Sequence, residues 1–215
     1  MEHVIHYMIL LLAITVHEVS HGYMAFRLGD DTASLSGRLT LNPIAHVDPI
    51  GTILVPLSLF MMTRNFASGP IVFGWAKPVP VNPLRFRRDI TMRNGMSLVA
   101  ASGPLANIVL ALLFAGVVHG CGTLSGSLAE GLCMISIHAV MVNLFLAFFN
   151  FIPIPPLDGS KVLLHFLSPN FAHAILRLEP YGFILVIMLF NYTPLGSLIA
   201  LLTWVVAKVI LGGAV

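Results

Sequence analysis

Residues 17 to 21 read His-Glu-Val-Ser-His and lie near the end of an apolar run that begins at Val4. Ionisable side chains at membrane depth are energetically expensive and are usually retained for function. Two histidines four residues apart project from one face of a helix, so they can bind the same ion. The strongest constraint on the fold is therefore a membrane helix that carries a metal-binding pair.

The composition is that of an all-α polytopic membrane protein. Hydrophobic residues make up 57% of the 215 residues and charged residues only 9%, whereas soluble domains carry about 25% charged residues. We expect a single membrane-embedded domain over 1–215, with its core at 4–161 and C-terminal helices in 162–215. The net charge of +2 gives no reason to expect a nucleic-acid partner. Cys121 and Cys133 lack metal-type spacing and are predicted to be ordinary residues of a loop and a helix.

Apolar runs predict a bundle of about five to six membrane helices. A spanning helix needs about 20 residues, and the candidate segments are 4–28, 95–118, 129–152 and a pair near 179–191 and 195–212.

A shorter apolar stretch, Ile50 to Met62, is interrupted by Gly51 and Pro56. We predict that it forms half of a re-entrant hairpin. The return limb, Phe66 to Pro83, is predicted to be a short extended segment, because its prolines forbid a regular helix. Such a segment can pair with an extended substrate through Trp75, Lys77, Val79 and Val81. A tightly packed structural loop is the alternative.

The distribution of Lys and Arg predicts the orientation in the membrane. If Ile50 to Met62 dips into the membrane and returns, eight of the 11 basic residues stay on one side, which is then cytoplasmic: Arg27, Arg38, Arg64, Lys77, Arg85, Arg87, Arg88 and Arg93. The loop at 119–131 contains no Lys or Arg and is predicted to lie outside. The N-terminus is then outside and the C-terminus in the cytoplasm, with His17 and His21 toward the cytoplasmic side.

The histidine motif fits zinc-dependent hydrolysis. Neutral imidazoles at positions i and i+4 supply two ligands of a tetrahedral zinc, and a catalytic site adds a third protein ligand. Glu18 lies near the same face and is placed to act as the general base. The alternative is a set of hydrogen-bonded side chains inside a helix bundle.

Asp158 is the candidate for the third ligand. It follows the third apolar run after a proline-rich stretch and precedes Gly159, which permits a tight turn. Its predicted depth matches that of His17 and His21. The alternative role for Asp158 is the N-cap of an amphipathic helix at 159–168.

Two asparagines lie in apolar runs. Asn150 is eight residues before Asp158 and could contact the substrate backbone or stabilise the oxyanion formed on attack. For Asn107, which follows Ser102-Gly-Pro-Leu-Ala106, we expect a packing role. His138 and Asn143 are expected to make interhelical hydrogen bonds.

These residues together resemble the site-2 protease family of intramembrane zinc metalloproteases, in a compact form without PDZ or CBS domains. Four blocks carry the resemblance: His17-Glu18-Val19-Ser20-His21, Phe73-Gly74-Trp75-Ala76-Lys77-Pro78-Val79-Pro80-Val81-Asn82-Pro83, Gly103-Pro104-Leu105-Ala106-Asn107, and Asn150 to Gly159. The resemblance implies one zinc ion bound by His17, His21 and Asp158. It also implies that Glu18 is the catalytic base and that Asn150 positions the substrate.

The resemblance further implies substrates and a location. The expected substrates are membrane proteins that another protease trims first and that are then cleaved within or beside a transmembrane segment. A bacterial inner membrane is the expected location, and the sequence does not define an oligomeric state. A membrane metal-ion or proton transporter could also use a His/Glu/Asp cluster. Transporters often contain internal repeats, but the histidine motif occurs only once in this sequence. A catalytically silent membrane adaptor is the third possibility.

Overall fold

The computed structural model describes residues 2–54, 58, 61, 77–121 and 126–213, and within these ranges the chain is helical and contains no β-strand. The α-helices of these ranges are α1 (Glu2–Arg27), α2 (Thr32–Leu35), α3 (Met92–Cys121), α4 (Ser127–Asn150), α5 (Asp158–Phe166), α6 (Pro169–Leu176), α7 (Gly182–Tyr192) and α8 (Leu195–Ile210). Shorter elements are the 3₁₀ helices Pro43–His46, Pro83–Arg85 and Glu179–Tyr181 and a π-helical turn at Pro49–Leu54.

Three helices, α1, α3 and α4, are long and apolar enough to cross a membrane, as predicted from the sequence. The last apolar region is broken at Thr193 and Pro194 into α7 and α8, also as predicted, and each of these two helices is shorter than a full span. The segments 170–181 and 184–192 meet at a bend of 86° and together are apolar enough for one broken span. The chain is therefore a helical polytopic membrane protein.

The predicted re-entrant hairpin lies largely outside the described residues, and so does Trp75. The described residues at the start of the predicted segment form a π-helical turn at Pro49–Leu54. Residues 77–82 adopt neither helix nor strand. The backbone N–H of Asn82 donates to the carboxylate of Asp30 at 2.6 Å, which fixes this segment next to the end of α1 at Arg27.

Small residues allow α3 to pack closely against its neighbours. Ala111 and Ala115 of α3 are buried with Val140 and Leu144 of α4 in one apolar cluster, which Ala207 of α8 completes. Where lipid surrounds the helices, close contact between small side chains is a main source of helix association. This packing makes α3 and α4 the rigid support on which α1 rests.

A second apolar cluster fixes the turn that follows α4. Ile152 and Leu157 from the turn are buried against Val186 of α7 and Ile199 of α8. The short C-terminal helices thus anchor the turn. As a consequence, α5 begins at a defined position next to the histidine helix.

Cys121 and Cys133 form a disulfide, with Cα atoms 6.0 Å apart. The expectation that both were ordinary residues was wrong. The bond joins the end of α3 to the first part of α4, and the 12-residue separation becomes informative only once these two helices are known to form a hairpin.

Candidate metal centre

The side chains of His17, His21 and Asp158 converge on one point. The two Nε2 atoms are 3.0 Å apart, and Asp158 Oδ2 lies 3.0 Å from Nε2 of His17 and 3.2 Å from Nε2 of His21. In a tetrahedral zinc site with bonds of about 2.0 Å, neighbouring ligand atoms are about 3.3 Å apart. The spacing and the nitrogen and oxygen donor set therefore fit zinc.

Two distant parts of the chain supply these ligands. The histidines are one helical turn apart on α1, whereas Asp158 is the first residue of α5 and lies 141 residues after His17. Leu157 occupies the N-cap position, and no side chain caps this helix. The Asp158 carboxylate thus faces the imidazoles, and the N-cap alternative is wrong.

Gly159 is required for the turn that brings Asp158 to the histidines. A Cβ atom at this position would lie 2.3 Å from the carbonyl oxygen of Phe151 and 2.5 Å from that of Ile152. Backbone oxygens cannot retreat as a flexible side chain can, so a larger residue would push the start of α5, and with it Asp158, away from the turn that follows α4. The proline-rich stretch and its glycine therefore act together in placing the carboxylate.

The protonation state of Asp158 suits a metal ligand. Burial raises the pKa of its carboxyl, but hydrogen bonding and charge interaction with His17 and His21 lower that pKa, and the net shift is downward. The side chain is consequently a carboxylate, which is the form that binds a metal ion.

The other ring nitrogen of each histidine also has a partner. His21 Nδ1 lies 2.7 Å from the backbone carbonyl oxygen of Val99. A carbonyl can only accept, so in the neutral ring the proton is on Nδ1 and the Nε2 lone pair is directed at the centre. His17 Nδ1 lies 2.6 Å from Asn107 Oδ1.

Asn107 is therefore part of the support of the site, and the sequence prediction of a packing role was incomplete. Its side chain is fully buried and also donates from Nδ2 to the carbonyl oxygen of Ala13 and to Asn143 Oδ1. The sequence showed that Asn107 is an amide in an apolar helix. Such an amide needs hydrogen-bond partners wherever it is buried. Nothing in the sequence indicated that one partner would be His17.

Gly103 of α3 forms the wall behind the two imidazoles. A Cβ at this position would lie 2.5 Å from His21 Cε1 and 2.7 Å from His17 Cε1. Glycine at this position therefore allows α3 to approach α1 closely, and the reason is specific. The space of one methyl group is occupied by the histidine rings.

Glu18 lies beside the metal centre in a cavity of about 390 Å³. Its Oε2 accepts a hydrogen bond from the backbone N–H of Val79 at 3.0 Å. Asn150 lines the same cavity, and its Nδ2 donates to the carbonyl oxygen of Leu146 at 3.0 Å. That bond uses one of the two amide hydrogens, so the second hydrogen and the Oδ1 atom are the remaining polar groups of this side chain.

The predicted substrate-binding residues have different positions. Val79 and Val81 line the cavity next to His17, whereas Lys77 is not among its lining residues. The N–H of Lys77 donates to the carbonyl oxygen of His46 at 2.9 Å, which attaches this part of the segment to the 3₁₀ helix Pro43–His46. Trp75 lies outside the described residues.

Curated proteins with similar sequences carry metalloprotease names. The chain is 38% identical over 192 residues to "Putative zinc metalloprotease YwhC" of Bacillus subtilis, a match that covers 87% of this chain and 80% of that protein. It is 29% identical to "Putative zinc metalloprotease Rip2" of Mycolicibacterium smegmatis, over 83% of this chain and 63% of that protein. It is 40% identical to "Putative zinc metalloprotease MJ0611" of Methanocaldococcus jannaschii, over 42% of this chain and 43% of that protein.

No protein-family model and no solved structure matches the chain. The match to YwhC nevertheless extends over most of both proteins, and the motif helix, the apolar spans and the ligand cluster described above agree with its name. This protein therefore belongs to the compact, site-2 protease-like family of membrane zinc metalloproteases that includes YwhC.

Proposed function

We propose that the protein is an intramembrane zinc metalloprotease that hydrolyses peptide bonds within or next to transmembrane segments of other membrane proteins. The observation that carries the proposal is the convergence of His17, His21 and Asp158 at the end of a membrane-spanning helix, with Glu18 in the adjoining cavity. A transporter would need a path with a second binding position. Within the described residues, no second group of metal-binding side chains accompanies this one.

In the proposed site, His17, His21 and Asp158 hold one zinc ion per chain. When bound, zinc supplies Lewis-acid activation of a water molecule and of the peptide carbonyl. The rest of the reaction depends on protein groups. Glu18 takes the proton of the attacking water on its carboxylate and transfers it to the leaving amine.

Residues 77–81 are proposed to hold the substrate in an extended form next to Glu18. The N–H groups of Lys77 and Val79 are already engaged, and Pro78 and Pro80 have none. Over 77–80, this segment can therefore pair with a substrate only through its carbonyl oxygens. The substrate must supply the N–H donors, and unwinding of its helix releases them. Asn150 is proposed to contact the substrate backbone from the opposite side of the cavity.

The hydrogen bond from the Val79 N–H to Glu18 can be tested separately. Val79→Pro removes the N–H donor and should reduce kcat by about 10- to 100-fold, since a net hydrogen bond to a charged group contributes about 1.5–3 kcal/mol. Zinc content measured by atomic absorption should stay at the wild-type level, because no ligand changes.

Val79→Ala is the control for this substitution. It removes most of the buried side chain but keeps the N–H group, so its kcat should exceed that of Val79→Pro. Equal losses in both variants would mean that the side chain, and not the hydrogen bond to Glu18, matters.

We propose an orientation with the N-terminus outside, the C-terminus in the cytoplasm and the metal centre toward the cytoplasm of a bacterial cell. The distribution of Lys and Arg supports this orientation. The disulfide Cys121–Cys133 supports it independently, because disulfides persist in oxidising compartments and this one lies at the end predicted to be outside. Labelling of the reduced cysteines by a membrane-impermeant maleimide added to the cytoplasmic face would contradict it.

The proposed partners are single-span membrane proteins that another protease has already trimmed. The test is cleavage in proteoliposomes that contain the purified protein and tagged single-span substrates without their extracytoplasmic domains. A zinc chelator should abolish the appearance of the cleaved fragment, and added zinc should restore it. Zinc accumulation inside the vesicles without cleavage of any substrate would instead support the transporter.

A further inference from the structure

A larger cavity adjoins the catalytic cavity, which contains Glu18. Its volume is about 540 Å³, and Met96 and Lys161 line both cavities. The rest of its lining is mostly apolar and includes Met92, Leu164, Ala172, Ile175 and Leu176. Pockets that bind small molecules have volumes of about 300–1,000 Å³. The larger cavity therefore has room for side chains of a polypeptide that extends from the metal centre.

Helix α5 connects the two cavities. Asp158 at its start is a metal ligand and lines the catalytic cavity, whereas Leu164 lines the larger one. Lys161 lies between them, three residues after Asp158 and three before Leu164, and residues three apart are neighbours on a helix surface. The side chain of Lys161 is thus at the junction of the cavities.

Two polar groups in the larger cavity are already used by the protein. Arg93 donates to the carbonyl oxygens of Leu164 and Leu167 at the end of α5. The Ser160 hydroxyl donates to the carbonyl oxygen of Leu157 at 2.7 Å. These bonds leave the cavity with a surface that suits apolar side chains.

The charge least screened by water in the larger cavity is the ammonium group of Lys161. This side chain is half-buried, and no ion pair among the described residues includes it. Arg93, His173 and Glu179 also line the cavity but are exposed, so water and salt screen their charges more strongly.

The two carboxylates of the catalytic cavity do not offset this ammonium group by pairing with it. Glu18 accepts the N–H of Val79, and Asp158 faces His17 and His21. A second cation at the junction would therefore lie near Lys161 without a free carboxylate beside it, whereas an apolar or acidic side chain would meet no such repulsion.

We propose that the larger cavity binds substrate residues next to the cleaved bond, and that Lys161 makes it accept apolar or acidic side chains and reject Lys and Arg. The inference rests on the proposed function, because the occupant is the substrate of that reaction. Membrane segments are flanked by Lys and Arg on their cytoplasmic side. Rejection of these residues places the cut within the apolar part of the segment and away from its basic flank.

The test of charge selection uses the purified protein in proteoliposomes and a single-span substrate in which each residue near the cleaved bond is changed in turn to Leu, Glu or Lys. At the position that enters the larger cavity, Lys should lower kcat/KM relative to Leu by about 10-fold or more, because like charges brought together oppose binding. Lys161→Glu should reverse the preference between Glu and Lys, and Lys161→Met should weaken it. Lys208→Glu makes the same charge change on an exposed residue of α8 that lines neither cavity, and it should keep the wild-type ratio.

The test of size selection uses two alanines of α6. Ala172 is half-buried and lines only the larger cavity. Ala172→Phe fills part of that space and should reduce the preference for Phe over Ala at the same substrate position. Ala174→Phe is the matched control, because Ala174 is exposed and lines neither cavity. Each ratio compares substrates on one variant, so a partial loss of folded protein cancels.

A binding measurement separates this inference from the proposed function. Substrates that carry benzoylphenylalanine at the selected position are irradiated with zinc-loaded Glu18→Gln protein, and crosslinks should form within 158–176. A neighbouring Lys in the substrate should reduce them. Cleavage with wild-type preferences in both Lys161→Glu and Ala172→Phe would overturn the inference and leave the proposed function intact, since lipid would then fill the cavity. Crosslinks with the expected preference, but no cleavage by zinc-loaded wild type, would defeat the proposed function and support the binding site.

Discussion

Glu18→Gln should leave zinc bound and reduce cleavage by about 100- to 10,000-fold, which is the usual contribution of a general base. The amide has nearly the shape of the carboxylate, but it cannot take a proton from water. Glu18 is not one of the three converging ligand groups, so its replacement should not change the metal content. The measurement pairs zinc content with the initial rate of fragment release in proteoliposomes.

Asp158→Ala and Glu130→Gln are the two controls for this experiment. Asp158→Ala removes a ligand and should lose both zinc and cleavage. Glu130→Gln makes the same chemical change as Glu18→Gln on an exposed side chain in the first turn of α4, and it should behave as wild type. Substantial cleavage by zinc-loaded Glu18→Gln protein would exclude Glu18 as the base.

Gly103→Ala should reduce zinc affinity by at least about 100-fold, although it adds only a methyl group. Mutations around a metal site typically cost 10–100-fold, and here one methyl group disturbs both histidine ligands. The new Cβ would lie 2.6 Å from His21 Nε2, one of the ligand atoms. Either the rings turn away from Asp158 or α3 moves away from α1, and both changes separate the ligands. Competition with a chelator measures the affinity directly.

Gly116→Ala is the matched control on the same helix. Gly116 is exposed, and no atom lies within 4 Å of its Cβ position. Alanine is the better helix former by about 1 kcal/mol, so this variant should be as stable as wild type or more stable, with unchanged zinc affinity. Equal zinc affinity in Gly103→Ala and wild type would mean that the histidine rings of the zinc-bound protein do not occupy the space that a Cβ atom at residue 103 would fill.

The membrane helices could be predicted from the sequence of each segment taken alone. The runs around α1, α3 and α4 are apolar over more than 20 residues, and a segment of that length in lipid must satisfy its backbone hydrogen bonds internally. The break before α8 was visible as Pro194. The roles of Asn107 and Gly103 were not visible, because each depends on a residue far away in the chain. The disulfide was not visible because it depends on the hairpin that α3 and α4 form.

The sequence by itself determined that His17 and His21 share one face of a membrane helix, since a spacing of four residues fixes their relative position in any α-helix. It also indicated Asp158 as the candidate partner. Only the tertiary structure decided the distances of 3.0 and 3.2 Å between that carboxylate and the two imidazoles, and which atoms lie behind the rings. The physical reason is that these contacts join α1, α3, α4 and α5, and contacts between helices follow from packing and not from the local pattern of any one of them.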